Sequence, residues 1–516
     1  MSSRSRNGCI DCKKAKVKCD EVHPYCGTCR RRRRQCSGYI QPIKSSRSVD
    51  GPSCARTPTT SIYRVTDHVS SPDRPSNEPQ RFVPPELHAG AFSPASEPST
   101  SPISPIACNS TPAADFRLFK YIPTIPAGTI NPADQTFIEI FFLRHPKELV
   151  FGPEFVEEMN SSVMKVLQDS PLAVGDSLSA IGEAYCKDST FPVAFPVASR
   201  RARILARLRS MDTQGVSMEL LLSIMLGLCA VELVDSSAQQ QRSSLPVLLD
   251  NLSMMLHHHL RKSDDLNQLS KYFLRAMARQ DMLLSLTRLH QSKIPTSWWL
   301  DDEAQIHADR FMGYTSTLMP ILARLSDLAA DTRASWLETV IDNDPVGAIP
   351  DAHGSTERDL NDRASKLRDE LSLWHPAVDP TLSFQHSRKF LMHANSYRQA
   401  SLLYLYRLFT PPGSSAEADR AALTMAYEVM SHIADSEDDL KMSLWPVFLA
   451  ACEMRSDPDR RSATQVLNSI CRSRKTVTAL GTRNFVFNRV WVARDAGIDW
   501  NWMTLNLKYP NELLPI

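Results

Sequence analysis

Six cysteines fall within 28 residues, spaced Cys9-x2-Cys12-x6-Cys19-x6-Cys26-x2-Cys29-x6-Cys36. The pattern is a repeat, with Cys-x2-Cys-x6-Cys occurring twice at an offset of 17 residues. So short a stretch cannot bury an apolar core, and Val17 and Tyr25 are poor material for one. Cross-links must fold it instead. The opening MSSRSRNGCI is polar and basic with no apolar segment, so no secretory signal is expected. A reduced compartment then favours metal over disulfides. Zinc takes four thiolates in a tetrahedron. Six sulfurs make one closed site with two left over, or two complete sites if two sulfurs bridge. The repeat marks the first cysteine of each half, Cys9 and Cys26, as the bridging pair. Two zinc ions on six thiolates carry a net charge of about −2. Metal binding of this kind is worth on the order of 10 kcal/mol. Chelation is therefore expected to unfold residues 9–36 and leave the rest folded.

The same stretch carries nine of the chain's 59 Lys and Arg residues. The overall charge of +2 hides this asymmetry. Residues 1–40 hold 11 Lys/Arg against Asp11, Asp20 and Glu21, a net +8, so the other 476 residues sum to −6. A basic head on a mildly acidic body is the footprint of a nucleic-acid-binding module.

Motif and charge together carry a resemblance. Residues 7–38 resemble the fungal zinc binuclear cluster DNA-binding domain, the six-cysteine class of fungal transcription factors. The resemblance implies two Zn2+ ions sharing Cys9 and Cys26, with Cys12 and Cys19 completing one site and Cys29 and Cys36 the other. It implies that each Cys-x2-Cys opens a short helix, that the first helix enters the major groove of double-stranded DNA, and that the target is a CGG-like promoter triplet. Lys16 matches the base-reading lysine, and a lysine can donate to the O6 and N7 acceptors of guanine. Lys13 and Lys18 match phosphate-contacting positions, which set register and affinity but carry no sequence information. Pro24 matches the loop proline between the halves. One departure stands out: the position before Lys16 is usually basic and here is Ala15, with Lys14 beside it as a substitute. The run Arg30, Arg31, Arg32, Arg33, Arg34 is heavier than the family's usual complement and adds phosphate contacts, hence a steeper salt dependence. Such a run also serves as a nuclear import signal.

Residues 41–115 change character. Thirteen of the 35 prolines lie there among many Ser and Thr, in segments such as SSPDRPSNEPQ that cannot offset the entropy of ordering. A disordered linker is expected, with Ser71, Ser93, Ser101 and Ser104 each preceding proline as phosphorylation candidates. Residues 37–75 show no sustained apolar heptad, so a coiled-coil dimer is not expected there. A homodimer would have to form through the body.

From 116 to 516 the periodicity is helical, and the fold class expected is a small zinc-stabilised module plus a large all-α domain. Asn131 reads as an N-cap with Pro132 at the first helical position, in a helix ending at Pro146. Further helices are expected at 153–168, 172–187, 197–211, 216–235, 245–262, 266–291, 315–331, 356–373, 384–409, 415–435, 439–455, 458–473 and 482–494. The apolar run MELLLSIMLGLCAVELV (218–234) contains Glu219 and Glu232 and reads as a buried core helix. Four stretches resemble the fungal-specific transcription factor regulatory domain of the second common type: RQDMLLSLTR (279–288), ANSYRQASLLYLYRLF (394–409), SLWPVFLAACEM (443–454) and RVWVARDAGIDWNW (489–502). That resemblance implies a regulatory helical domain and no catalysis. Read as plain structure, Tyr397, Leu402, Leu403, Leu405, Tyr406, Trp445 and Trp491 are core residues, and Cys186, Cys229, Cys452 and Cys471 are small apolar ones.

No enzyme motif is present: no Gly-x-Ser-x-Gly, no His-Glu-x-x-His, and no glycine-rich phosphate loop. His257, His258 and His259 are adjacent, so a helix points them in different directions and they cannot share one metal. The chain is expected to be a nuclear, zinc-dependent, sequence-specific DNA-binding transcription factor of RNA polymerase II genes, with coactivators or corepressors as partners and no membrane. The alternative is a helical protein-interaction module with the zinc cluster as a nonspecific DNA or protein tether.

Overall fold

The structure, a computed structural model, describes Cys12, Lys14, Val17, Cys19 and residues 26–32 of the head. In the body it describes 125, 128, 130–186, 197–210, 217–235, 243–262, 265–341, 350–434 and 436–516. The expected linker, 41–115, lies outside the described residues. Two units divide the chain, Met1–Pro105 and Ile106–Ile516. Among the described residues no strand forms, and the one isolated β-bridge joins Asp309 and Gly313.

Helices account for the described body. They are α2 (Pro132–Leu149), α3 (Glu154–Asp169), α4 (Pro171–Tyr185), α5 (Val197–Ser210), α6 (Met218–Val234), α7 (Leu245–Leu260), α8 (Gln268–Arg288) and the short α9 (Asp302–Ile306). After them come α10 (Met319–Ile341), α11 (Pro350–Leu373), α12 (Phe384–Phe409), α13 (Ala416–Ser431), α14 (Glu437–Leu440), α15 (Leu444–Glu453), α16 (Asp457–Ser473), α17 (Val477–Phe485) and α18 (Trp502–Lys508). A π-helical stretch, Val486–Trp491, and a last turn, Val492–Asp495, continue α17. The head's helix, α1, is Gly27–Arg31.

The caps follow the sequence. Asn131 Oδ1 accepts from the Ala133 amide at 3.0 Å with Pro132 at the first position, and Ser217, Asn267, Ser383, Ser415 and Ser456 cap their helices likewise. Several boundaries depart from the reading above: α10 ends at Ile341 rather than 331, α11 starts at Pro350 rather than 356, α17 starts at Val477 rather than 482, and three more follow. The first is α2, which runs through Pro146 to Leu149. Leu149, Val150 and Phe151 are buried in the core, and that packing outweighs the lost proline N–H. The second is the expected helix 439–455, which breaks at Lys441–Ser443 into α14 and α15. Pro446 has no N–H to give the Met442 carbonyl, which accepts instead from Arg279 Nη2 and Tyr397 Oη, each at 3.2 Å. The third is α8, which stops at Leu289 in the left-handed conformation, φ 55°.

α4 sits at the centre of one half, packed on α2, α5 and α6, while α12 packs on α13 and α15. Close approach needs small residues. A Cβ on Gly182 would lie 1.9 Å from the Phe137 carbonyl oxygen of α2, and one on Gly227 of α6 would lie 2.7 Å from Ser177 Cβ of α4. Arg200 of α5 is fully buried and ties the same helices, donating to Glu183 of α4 and Asp134 of α2 at 2.6 Å each. Of the expected core residues, Tyr397, Leu403, Leu405, Trp445 and Trp491 are buried, and Leu402 and Tyr406 are half-buried against them. Trp491 Nε1 donates to the Ala451 carbonyl at 2.9 Å. α6 is a core helix, with Leu222, Leu228, Cys229 and Val231 fully buried, and no described helix is long and apolar enough to cross a membrane. Cys186, Cys229 and Cys452 are buried and Cys471 half-buried; burial pushes the Cys229 thiol up to about 12.

Two core histidines set an acid limit. His393 lies edge-on to Phe151 at 4.6 Å and tilted against Tyr397 at 4.7 Å. Its pKa is lowered to about 3, first by burial and then by the charge of Arg279. His145 is lowered to about 3 as well, by burial and then by Arg474. Between pH about 6.5 and about 3 the unfolded chain binds protons at these two positions that the folded chain does not, so stability is lost as pH falls through that window. Urea unfolding of the His393→Leu variant at pH 7.5 and 5.0 should show a shallower loss than wild type; equal losses would remove His393 from the account.

Candidate metal centre and nucleic-acid interface

In the head, the second Cys-x2-Cys is built as a helix start. Cys26 precedes α1, and the Cys29 amide, three residues on, donates to Cys26 Sγ at 3.2 Å. An amide aimed at sulfur favours the thiolate a metal needs. In the first half, Cys12 and Lys14 have helical backbone, and the Val17 amide donates to the Cys12 carbonyl at 3.0 Å. Cys12, Cys19, Cys26 and Cys29 are all buried, in a module with hardly any apolar side chain to cover them, and Val17 packs against the four.

The sulfurs converge. Cys12 Sγ lies 3.6 Å from Cys26 Sγ and 3.7 Å from Cys29 Sγ, and the three lie within 4.8 Å of one another. A disulfide would hold sulfurs at about 2.05 Å. Four thiolates on one zinc at about 2.3 Å, at tetrahedral angles, stand about 3.8 Å apart. The spacing therefore fits metal ligation by these three thiols. A zinc ion there would draw the thiolates together and cancel most of their charge. Around this centre Lys14, Arg31 and Arg32 are exposed, and Arg31 Nη2 reaches Thr28 Oγ1 at 3.4 Å. Cys9, Cys36, Lys13, Lys16, Lys18, Arg33 and Arg34 lie outside the described residues, as does the side chain of Arg30.

The body holds no comparable ligand group among the described residues. His257 packs edge-on to Trp298 at 4.6 Å, with its two neighbours directed elsewhere on α7. What sequence reasoning missed there is a set of buried arginines, Arg200, Arg279, Arg310, Arg407 and Arg474. Arg279 stood inside the landmark RQDMLLSLTR, an arginine opening an apolar run, and that was the available signal.

The family profile described as "Fungal specific transcription factor domain" matches residues 198–512, more than half the chain. The chain belongs to this fungal specific transcription factor family. The family is one of transcription factors, not enzymes. In this fungal specific transcription factor the head matches a second profile, "Fungal Zn(2)-Cys(6) binuclear cluster domain", over residues 7–46, and zinc is thereby the metal of the thiol group. Similar curated proteins include the aspercryptin biosynthesis cluster-specific transcription regulator of Emericella nidulans, 34% identical over 76 residues, covering 15% of this chain and 12% of that protein. A transcription factor of Flammulina velutipes is 34% identical over 98 residues, 18% of this chain and 34% of its own. The lysine biosynthesis regulatory protein of Saccharomyces cerevisiae is 46% identical over 43 residues, 8% of this chain and 5% of its own. The match thus spans at most about a third of the length of any of these three relatives. No solved structure matches the chain.

Proposed function

We propose that this protein is a nuclear, sequence-specific regulator of RNA polymerase II genes that reads a CGG-like triplet through a head of two zinc ions. The observation that carries this reading is the convergence of three buried thiols at metal-ligand spacing, beside exposed Lys14, Arg31 and Arg32. Cys9 and Cys26 bridge, Cys12 and Cys19 complete one site, and Cys29 and Cys36 the other. Lys16 reads the guanines, while Lys13, Lys14, Lys18 and the arginines from Arg30 to Arg34 hold phosphates. Residues 1–40 form the head, 41–115 a disordered connection, and 116–516 the regulatory body, which recruits coactivators or corepressors and supplies any homodimer contact. The names of the similar proteins, all regulators, support the reading.

An unbiased DNA selection with the zinc-loaded full chain tests it. Wild type should enrich a CGG-like triplet. Lys16→Ala should lose about 1–3 kcal/mol of discrimination at that triplet with zinc content unchanged. Lys14→Ala should weaken all sequences alike and flatten the salt dependence by about one unit of slope. A wild type that selects no motif rules out sequence reading, and a Lys16→Ala variant that keeps the triplet rules out this residue assignment. Paired triplets at fixed spacing would add a dimer formed by the body.

A further inference from the structure

A cleft open to solvent runs along one face of α8, between that helix, the start of α7 and the middle of α10. Asp281, Leu284 and Arg288 of α8 line it, at the i, i+3 and i+7 positions that share one side of a helix. Pro246 of α7 and Ala330 of α10 face them. The centre of a water-sized sphere can move through about 420 Å³ of this space, which is room for a small organic molecule rather than for a few waters. Asp281 is buried. Its Oδ2 accepts the Lys293 and Ile294 amides at 2.6 and 3.0 Å, and its Oδ1 has no partner. Lys293 Nζ is taken by Asp250 of α7. At the other end of the cleft Arg288 Nη2 reaches only the Pro510 carbonyl, at 3.5 Å, and its Nε has no partner. His290 also lines that end and is met at 2.9 Å by Arg333 Nη1.

Each end of the cleft carries a charge whose desolvation is not offset. Burial raises the pKa of Asp281 to about 6, even against its two amides and the charge of Lys293. Burial lowers that of Arg288, with no acid's charge to oppose it. His290 is lowered as well, by burial first and then by Arg333, Lys293 and Arg288, so cations crowd the Arg288 end. Among the described residues Asp281 and Arg288 form no ion pair. Seven residues of helix set them about 10 Å apart along the axis, and Leu284 stands between them. A ligand that meets both carries a cation at one end, an anion at the other and an apolar middle. Ammonium and carboxylate on one carbon are too close together to reach both ends, but at the two ends of a short methylene chain they are not. A planar carboxylate suits the guanidinium fork, and a compact ammonium suits a single open carboxylate oxygen.

We propose that this cleft binds a linear ω-amino acid, its ammonium on Asp281, its carboxylate on Arg288 and its methylene chain along Leu284, between Pro246 and Ala330. The site is independent of the DNA reading above and gives the body a metabolite input of its own.

Isothermal titration of the zinc-loaded full chain with 5-aminopentanoate, against pentanoate, pentylamine and L-leucine at equal ionic strength, tests the proposal. The ω-amino acid should bind one per chain. Pentanoate and pentylamine should each bind about ten-fold more weakly, since each gives up one charge-assisted hydrogen bond, and L-leucine should be weaker too. Arg288→Gln should weaken 5-aminopentanoate about ten-fold, and it breaks no ion pair with an acid. A second variant, Ala330→Phe, fills the cleft from α10 with both charged groups kept, and should abolish binding while circular dichroism stays native. Absence of 5-aminopentanoate binding, pentanoate, pentylamine or L-leucine binding as tightly, or binding unchanged in folded Arg288→Gln or Ala330→Phe would each overturn the proposal.

Discussion

Chelating zinc from the full-length protein will unfold the cysteine head, abolish its DNA binding, and leave the thermal transition of the helical body in place. The two units draw on different sources of stability. In the head, the buried side chains are the cysteines themselves with Val17 against them. Metal binding, on the order of 10 kcal/mol or more for a structural zinc, is therefore folding free energy there. The body buries a continuous apolar core from Ile138 to Ile516 that involves none of those thiols. The measurement is metal content with amide spectra. Wild type should hold two zincs per chain. Cys29→Ser should keep part of the metal, and Cys26→Ser should lose nearly all of it, because a bridging sulfur serves both ions. Equal losses in the two variants would show that Cys26 does not bridge, and head amides unchanged after chelation would refute metal-driven folding.

Glu453→Gln is expected to destabilise the body by about 3–5 kcal/mol. Glu453 of α15 is buried and receives Arg407 of α12 on both carboxylate oxygens, Nε to Oε1 at 2.9 Å and Nη2 to Oε2 at 2.6 Å. Arg407 also reaches Asp419 of α13 at 3.0 Å, so one guanidinium joins three helices. Burial alone would lower the pKa of Arg407, but the hydrogen bonds and charge of Glu453 and Asp419 raise it instead. Neutralising Glu453 leaves a desolvated cation whose one remaining acid, Asp419, is partly exposed. Arg494, 3.8 Å from the same carboxylate and stacked on Trp500, loses its counter-charge too. Urea unfolding measures the cost. The double variant Arg407→Met with Glu453→Met should be more stable than either single one, since a buried ion pair replaced by apolar groups of similar volume is often neutral. A double variant as unstable as the sum of the singles would mean that the helices need the ion pair's geometry.

These arginine networks mark the limit of what could be read from the chain. Metal chemistry was legible because ligation requires fixed residue types at fixed spacing, and Cys26 and Cys29 stand where the repeat places them. Helix starts were legible for the same kind of reason: Asn131, Ser217 and Ser383 accept amides two or three residues ahead, a local event. Helix ends depended on distant partners. Nothing near Leu289 announces a left-handed leucine, and the break before α15 depends on Arg279 and Tyr397, far away in sequence, reaching the Met442 carbonyl. α18 was missed because seven residues carry too little periodicity, although Asn501 caps it. Which partners the buried arginines meet is a property of helix packing that no window of sequence contains.

The crossing of α2, α4 and α6 has a further consequence, for how this protein can change over generations. At Gly182 the backbone of α2 occupies the place of a side chain, and at Gly227 a serine does. Drift at position 182 is therefore closed even to alanine unless α2 moves, whereas Gly128 and Gly413 have open space around them and are restrained only by their backbone angles. Position 227 can vary only in step with position 177. The crossing of the three helices therefore ties positions 137, 177, 182 and 227 to one another.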